Sequence, residues 1–406
     1  MKLTTTLVVV LALGAFGCSK KSEENATQKS DPAMTPKTTE PPKPAEPPKP
    51  TPVTGTALAD VYKACTVLIN DSKWDDFRKT CVEDDYTEHA FAGMEERKGG
   101  DALVGFFKDM KTAMPDWKLQ PQLIVVSGRN ILAVNLMTGT HEGTMKSAMG
   151  DVPATKKKVG MLMFHRLKMS DANKASDEWA VADAPTMMSQ LGLAPKGSEP
   201  KRAVMDKGIE GAPIVVVTAD DAKEKANLEA VKKGNDAFLA NKPADIMATM
   251  TDDAVEMDQG SAKDIKGKKE IEKGFVTFRN GWTDVKMSNV EMWAAGDYVV
   301  QSLKFGGKHD KDIGKLKKTG KTVAVDVVEI MHFKDGKIDQ MWRFTNGMEF
   351  AMQLGLMPPP GAAPAGGKPG EAPKAGAAPK AGAAPKMDAP KAEKPADPAK
   401  AEPAKQ

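Results

Sequence analysis

The chain has 406 residues, 29 prolines and a formal net charge of +3. Nine prolines fall in 19–55 and twelve in 357–406, and segments so rich in proline cannot bury a core. Between 56 and 356 there are 43 basic and 45 acidic side chains, so the body lacks the basic face that phosphate binding needs and no nucleic-acid partner is expected.

The N-terminus reads Met-Lys-Leu, then an apolar run over 7–17, then Cys18-Ser19-Lys20-Lys21. One positive charge, a short apolar segment and a small residue before the break predict a secretory signal over 1–17, too short to span a bilayer comfortably. Ala15-Phe16-Gly17-Cys18 resembles a bacterial lipobox, with Ala15 where the pattern favours Leu. That resemblance implies cleavage before Cys18, lipidation of its sulfur and a lipid-anchored protein of the bacterial cell envelope, because each buried acyl methylene contributes about 0.8 kcal/mol. Residues 18–55 then read as a disordered Pro-rich stalk and 359–406 as a disordered Ala/Pro/Lys tail.

Cys65 and Cys81 lie sixteen apart. In an oxidising compartment a disulfide there would contribute roughly 3 kcal/mol; two buried free thiols are the other reading, and neither cysteine reads as catalytic.

The middle of the chain repeats itself. MMSQLGLAP at 187–195 answers FAMQLGLMP at 350–358, Trp117 answers Trp282, Gly139-Thr140-His141 answers Gly307-Lys308-His309, Phe164-His165 answers Met331-His332, and Trp179 answers Trp342. One unit written twice predicts two domains, 56–195 and 224–358, joined by a linker over 196–223.

Each unit opens with helices, 58–69 and 226–240, then short ones near 73–80 and 243–250. A third runs near 101–113, where Leu103, Phe106, Phe107 and Met110 form one apolar stripe that Ile271, Phe275 and Phe278 repeat. Strands follow over 119–127, 130–141, 156–168 and 177–184, and again over 284–294, 297–308, 320–334 and 337–345, with turns such as Lys334-Asp335-Gly336-Lys337. Helices first and an antiparallel meander afterwards predict an α+β fold, a curved sheet wrapped around helices.

The ordered series TGTHEG (138–143), Gly150-Asp151-Val152-Pro153-Ala154-Thr155-Lys156, Phe164-His165-Arg166, Glu178-Trp179, Asp183 and SQLGLAP resembles the SnoaL-like polyketide cyclase (ester cyclase) branch of the nuclear transport factor 2-like superfamily. The resemblance implies two tandem cone-shaped domains, each with an apolar pocket, packed as an internal pseudo-dimer. It also implies cofactor-free, metal-free acid–base catalysis of an intramolecular aldol closure on a small apolar carbonyl compound. Carried over, Asp183 is the base, with His141 assisting; His89, on the strand after the second helix, is a further catalytic or ligand-contacting residue. A proton must leave a carbon beside a carbonyl and another must reach the developing alkoxide, which two titratable groups in a dry site accomplish.

Domain 2 keeps His309 and Trp342 but has Asn346 where domain 1 has Asp183, so it is expected to be silent. Pocket residues are expected to be Trp117, Trp179, Met137 and Met163 in domain 1, and His309, Asn346 and Trp342 in domain 2. Other readings stand beside these. A histidine retained in both copies also suits a structural strand position, an Asp or Asn before a helix also suits an N-cap, and tryptophans and methionines also fill cores. A non-catalytic envelope lipoprotein that binds a hydrophobic ligand or a protein partner is the alternative function.

Overall fold

A computed structural model describes residues 51–89, 96–147, 150–194 and 198–357. The residues read as a signal segment (1–17), Cys18, most of the segment read as a stalk and the residues beyond 357 lie outside the described residues.

Domain 1 begins with α1 (Thr56–Asn70), whose Leu58, Tyr62, Thr66 and Ile69 recur on one buried stripe, and α2 (Trp74–Cys81), anchored by Phe77 and Cys81. Strand β1 (Val82–His89), a short β2 (Arg97–Lys98) and α3 (Gly100–Ala113) follow. The meander is β3 (Lys118–Ser127), β4 (Asn130–Thr140), β5 (Lys158–Met169) and β6 (Ala175–Val181), closed by α4 (Ala184–Gln190). After β7 (Ile214–Val217) the series repeats in domain 2: α5 (Ala222–Leu239), α6 (Pro243–Ala248), β8 (Met250–Asp258), β9 (Ile265–Lys266), α7 (Lys268–Arg279), β10 (Trp282–Ala295), β11 (Tyr298–His309), β12 (Thr322–Lys334), β13 (Lys337–Thr345) and α8 (Gly347–Gln353). Asp335 and Gly336 both take positive φ, 51° and 73°, the backbone a tight two-residue hairpin demands.

The sheets run β2-β1-β6-β5-β4-β3-β7 and β10-β11-β12-β13-β8-β9. They depart from the expected antiparallel meander in parallel pairings: β1 with β6 and β8 with β13, with a further one, β3 with β7, in the first sheet. The first strand of each unit thereby lies beside its last, which a reading of consecutive hairpins does not foresee. Period-2 alternation divides each sheet into two faces. In domain 1, Ile131, Ala133, Met137, Met161 and Met163 face the helices, while Leu132, Val134, Leu136, Leu162 and Phe164 face domain 2 and share a core with Val300, Val328, Ile330 and Phe344. The Phe164 and Phe344 rings are 6.1 Å apart across this seam.

The segment read as a linker is a strap. Met205 N–H donates to Gly160 O, Ile209 N–H donates to Gln122 Oε1, and β7 adds a parallel strand to β3. Its four β-branched residues, Ile-Val-Val-Val, carry a strand signal hidden inside a Gly- and Lys-rich stretch.

Candidate functional site

Asp183 sits at the N-terminus of α4. Its Oδ2 accepts from Thr186 N–H at 2.8 Å and from Thr186 Oγ1 at 2.6 Å, and only 3% of the residue is exposed. Domain 2 closes over it: a Cβ added at Gly347 would stand 2.2 Å from Asp183 Oδ1, and Lys201 Nζ of the strap is 3.7 Å from Oδ2. Burial raises its pKa, and Lys201 and Thr186 offset only part of that. Asn346 does the same work at α8, accepting from Glu349 N–H. Neither hydrogen bonds to a histidine.

His141 and His309 close a loop in their respective domains. His141 Nδ1 is 3.1 Å from Thr155 Oγ1 and accepts from Thr155 N–H, while its main chain exchanges bonds with Lys156 and Lys157. His309 repeats this on Thr319, Gly320 and Lys321. Both rings are fully buried, and burial, followed by nearby Lys156, lowers the His141 pKa. The two halves of the sequence signature, Gly-Thr-His and the following Thr-Lys, are thus the two sides of one clamp.

The remaining expected residues fall on different faces. His89 stacks on Trp179 at 4.1 Å, and Arg166 lies over Trp179 at 3.8 Å while pairing with Glu291 of domain 2. Trp342 packs into the seam. Trp117, Met137 and Met163 belong to the helix-facing core of domain 1. His89 and Trp179 therefore occupy the face of the sheet opposite these three.

The helix-facing side of domain 1 brings together a set that sequence reasoning missed. Glu178 accepts from Tyr86 O–H at 2.5 Å, and its other oxygen meets His165 Nδ1. Burial pushes the Glu178 carboxyl up, but the bonds from His165 and Tyr86 and the charge of Arg97 outweigh it and hold it below the usual carboxylate range. Since that carboxylate can only accept, His165 Nδ1 carries the proton toward it; its Nε2 is buried and unpartnered. Nearby, Asn135 donates to Tyr62 O–H at 2.7 Å, and burial raises the pKa of both tyrosines. His165, Glu178 and Tyr62 line a cavity of about 50 Å³ whose walls include Phe77, Phe107 and both bonded cysteines, Cys65 and Cys81. That is room for one or two water-sized groups. Among the described residues no three His, Cys, Asp or Glu side chains converge to hold a metal ion.

Domain 2 fills the same space differently. Gly139 faces Val159 and Gly307 faces Val323, so six residues along each strand His165 corresponds to Glu329, not to His332 as the sequence repeat suggests. By the same ladders Ala180 corresponds to Arg343 and Glu178 to Met341. Arg343 pairs with Glu329 at 2.8 Å and with Glu256, and Gln301 donates to Glu329. His332 instead meets Asp339 at 2.6 Å.

The family model described as "SnoaL-like polyketide cyclase" matches residues 59–191 and 229–354. The chain belongs to this family. The first SnoaL-like segment runs from within α1 through β6 and α4, the second from within α5 through β13 and α8, and β7 lies between them. No curated protein matches the chain. Similar solved structures each align to about one of its SnoaL-like domains. A SnoaL-like protein from Jannaschia sp. CCS1 has 20% identity and a TM-score of 0.32, covering 34% of this chain and 97% of its own. TsrD from Streptomyces laurentii has 15% identity and a TM-score of 0.31, covering 34% and 100%. An NTF2-like protein from Burkholderia xenovorans LB400 has 16% identity and a TM-score of 0.27, covering 32% and 97%.

Proposed function

We propose that this SnoaL-like protein is a non-catalytic binding lipoprotein of the bacterial envelope, anchored through Cys18 and held off the membrane by its stalk. Domain 1 takes a small hydrophobic molecule carrying one hydrogen-bonding group, which enters as the walls of the 50 Å³ cavity part. Domain 2 acts as its silent partner in an internal pseudo-dimer.

One observation carries the reading: on the helix-facing side of the sheet domain 1 holds His165 with Glu178 beside a cavity, whereas domain 2 has Glu329 at the His165 position, paired with Arg343, which also meets Glu256. Apolar walls with a few convergent polar groups suit ligand binding. Asp183, spent as a helix cap at the seam, supports binding over turnover.

A second reading, cofactor-free acid–base catalysis on a small apolar carbonyl compound, is favoured by the His165–Glu178 pair. A carboxylate that holds one ring nitrogen and leaves the other unpartnered is the arrangement of a positioned base.

Native mass spectrometry of the purified full chain tests both. A retained small molecule in the wild type and in Asp183→Asn, lost in His165→Ala, is the expected result. Failure of the wild type, tested both oxidised and reduced, to retain or bind any small molecule would remove the binding reading. Turnover of a retained carbonyl compound that His165→Ala abolishes would establish the catalytic one. Release of Cys18→Ser from the membrane fraction checks the anchor.

A further inference from the structure

The cavity of domain 1 is walled by a covalent bond. Cys65 lies in α1 and Cys81 is the last residue of α2; they are bonded, and both line the space that holds His165 and Glu178. Helix α2 has eight residues, of which only Phe77 and Cys81 are buried, and so short a helix has no stability of its own. Besides the disulfide it is held by Trp74 and Phe77, whose rings stand 6.5 and 5.6 Å from that of Phe107, by an Arg78 bond to the Val82 carbonyl, and by the Arg78 ion pairs, whose partners Asp84 and Asp101 are nearly fully exposed, so those ion pairs contribute little. Domain 2 has no cysteine, so the disulfide belongs to domain 1, where it borders the cavity.

We propose that the Cys65–Cys81 disulfide is a redox gate on the domain 1 site: bonded, it locks α2 over the cavity; reduced, it lets α2 swing away and admits a ligand to His165. The inference rests on the binding reading given above, whose site it regulates. The reductant is a dithiol. Its thiolate attacks the sulfur of half-buried Cys65, Cys81 leaves as a thiolate beside the Thr80 hydroxyl 3.5 Å away, and the second thiol of the reductant resolves the mixed disulfide. Two electrons pass from the dithiol, which becomes a disulfide, and the two cysteine sulfurs take up two protons.

The gate can be read without any ligand. The full chain is treated with diethyl pyrocarbonate before and after reduction by dithiothreitol, and modification of each histidine is followed by mass spectrometry. Loss of the loop constraint should speed labelling of His165 by about a hundredfold, while His309, fully buried in domain 2, stays protected. A Cys65→Ser/Cys81→Ser variant should label like the reduced protein without reductant. Unchanged His165 labelling with both thiols titrating as free would overturn the gate, and so would equal acceleration at His165 and His309, which signals global unfolding. If neither redox form retains a small molecule, the binding reading fails while the labelling result still stands.

Discussion

Asp183 Oδ2 accepts from both the main chain and the hydroxyl of Thr186, three residues on, at 2.8 and 2.6 Å. This pair of bonds, both donated by Thr186, makes a buried helix cap at the head of α4, and domain 2 packs onto it through Gly347.

The cap makes a prediction that separates it from a base. Asp183→Ala should cost about 1–2 kcal/mol of stability, whereas Asp183→Asn should be tolerated, as Asn346 already caps α8. Burial raises the Asp183 pKa, so the folded state binds the proton more tightly than the unfolded chain. Its contribution is therefore full below the ordinary aspartate range and is lost as pH rises through the raised value. Asp183→Asn should remove that loss, giving a flatter stability profile in urea titrations above the ordinary range; an unchanged profile would contradict it.

Glu178 carries the opposite sign. Its pKa lies below the ordinary glutamate value, so its stabilisation is present above that value and is lost as pH falls through the depressed one. Glu178→Gln should make acid unfolding shallower, and Glu178→Ala should cost about 3–5 kcal/mol by leaving His165 buried without its partner. Circular dichroism across an acid series reads both.

The clamp predicts equal effects in unequal domains. His141→Ala and His309→Ala should each destabilise by about 2–3 kcal/mol, because each removes the same bonds to a threonine and opens a similar cavity. Ligand retention by the folded His141→Ala protein should be unchanged. A large loss at His141 together with a neutral His309 would point back to chemistry.

Arg343→Ala should cost about 3–5 kcal/mol, because Glu256 and Glu329 lose the charge between them. Replacing all three with apolar residues of similar volume should restore most of it. Calorimetry of the single and triple variants decides this.

Val216→Asp tests the strap. Val216 packs into the shared core and lies 3.0 Å from where a Cβ on Gly296 would stand. An unpaired charge there should cost about 2–3 kcal/mol and split a single thermal transition into two. One unsplit transition would show that the domains are not coupled through β7.

The sequence by itself determined the α+β fold and the tandem repeat. Those features are local: apolar stripes such as Leu103, Phe106, Phe107 and Met110 repeat at helical spacing, and strand alternation needs only neighbours along the chain. The paired motif around His141 and His309 was legible too, though not its work as a clamp, since Thr155 lies fourteen residues away across a loop. Only the tertiary structure decided the rest. Tyr86 and Glu178 are 92 positions apart and meet because β1 lies parallel to β6, a pairing that no local signal specifies. Alternation tells that Glu178 and Trp179 point opposite ways, but not which face the helices cover. Asp183 reads identically as a base or a cap until the second domain is seen closing over it, because burial and partners, not residue type, set what a carboxylate can do.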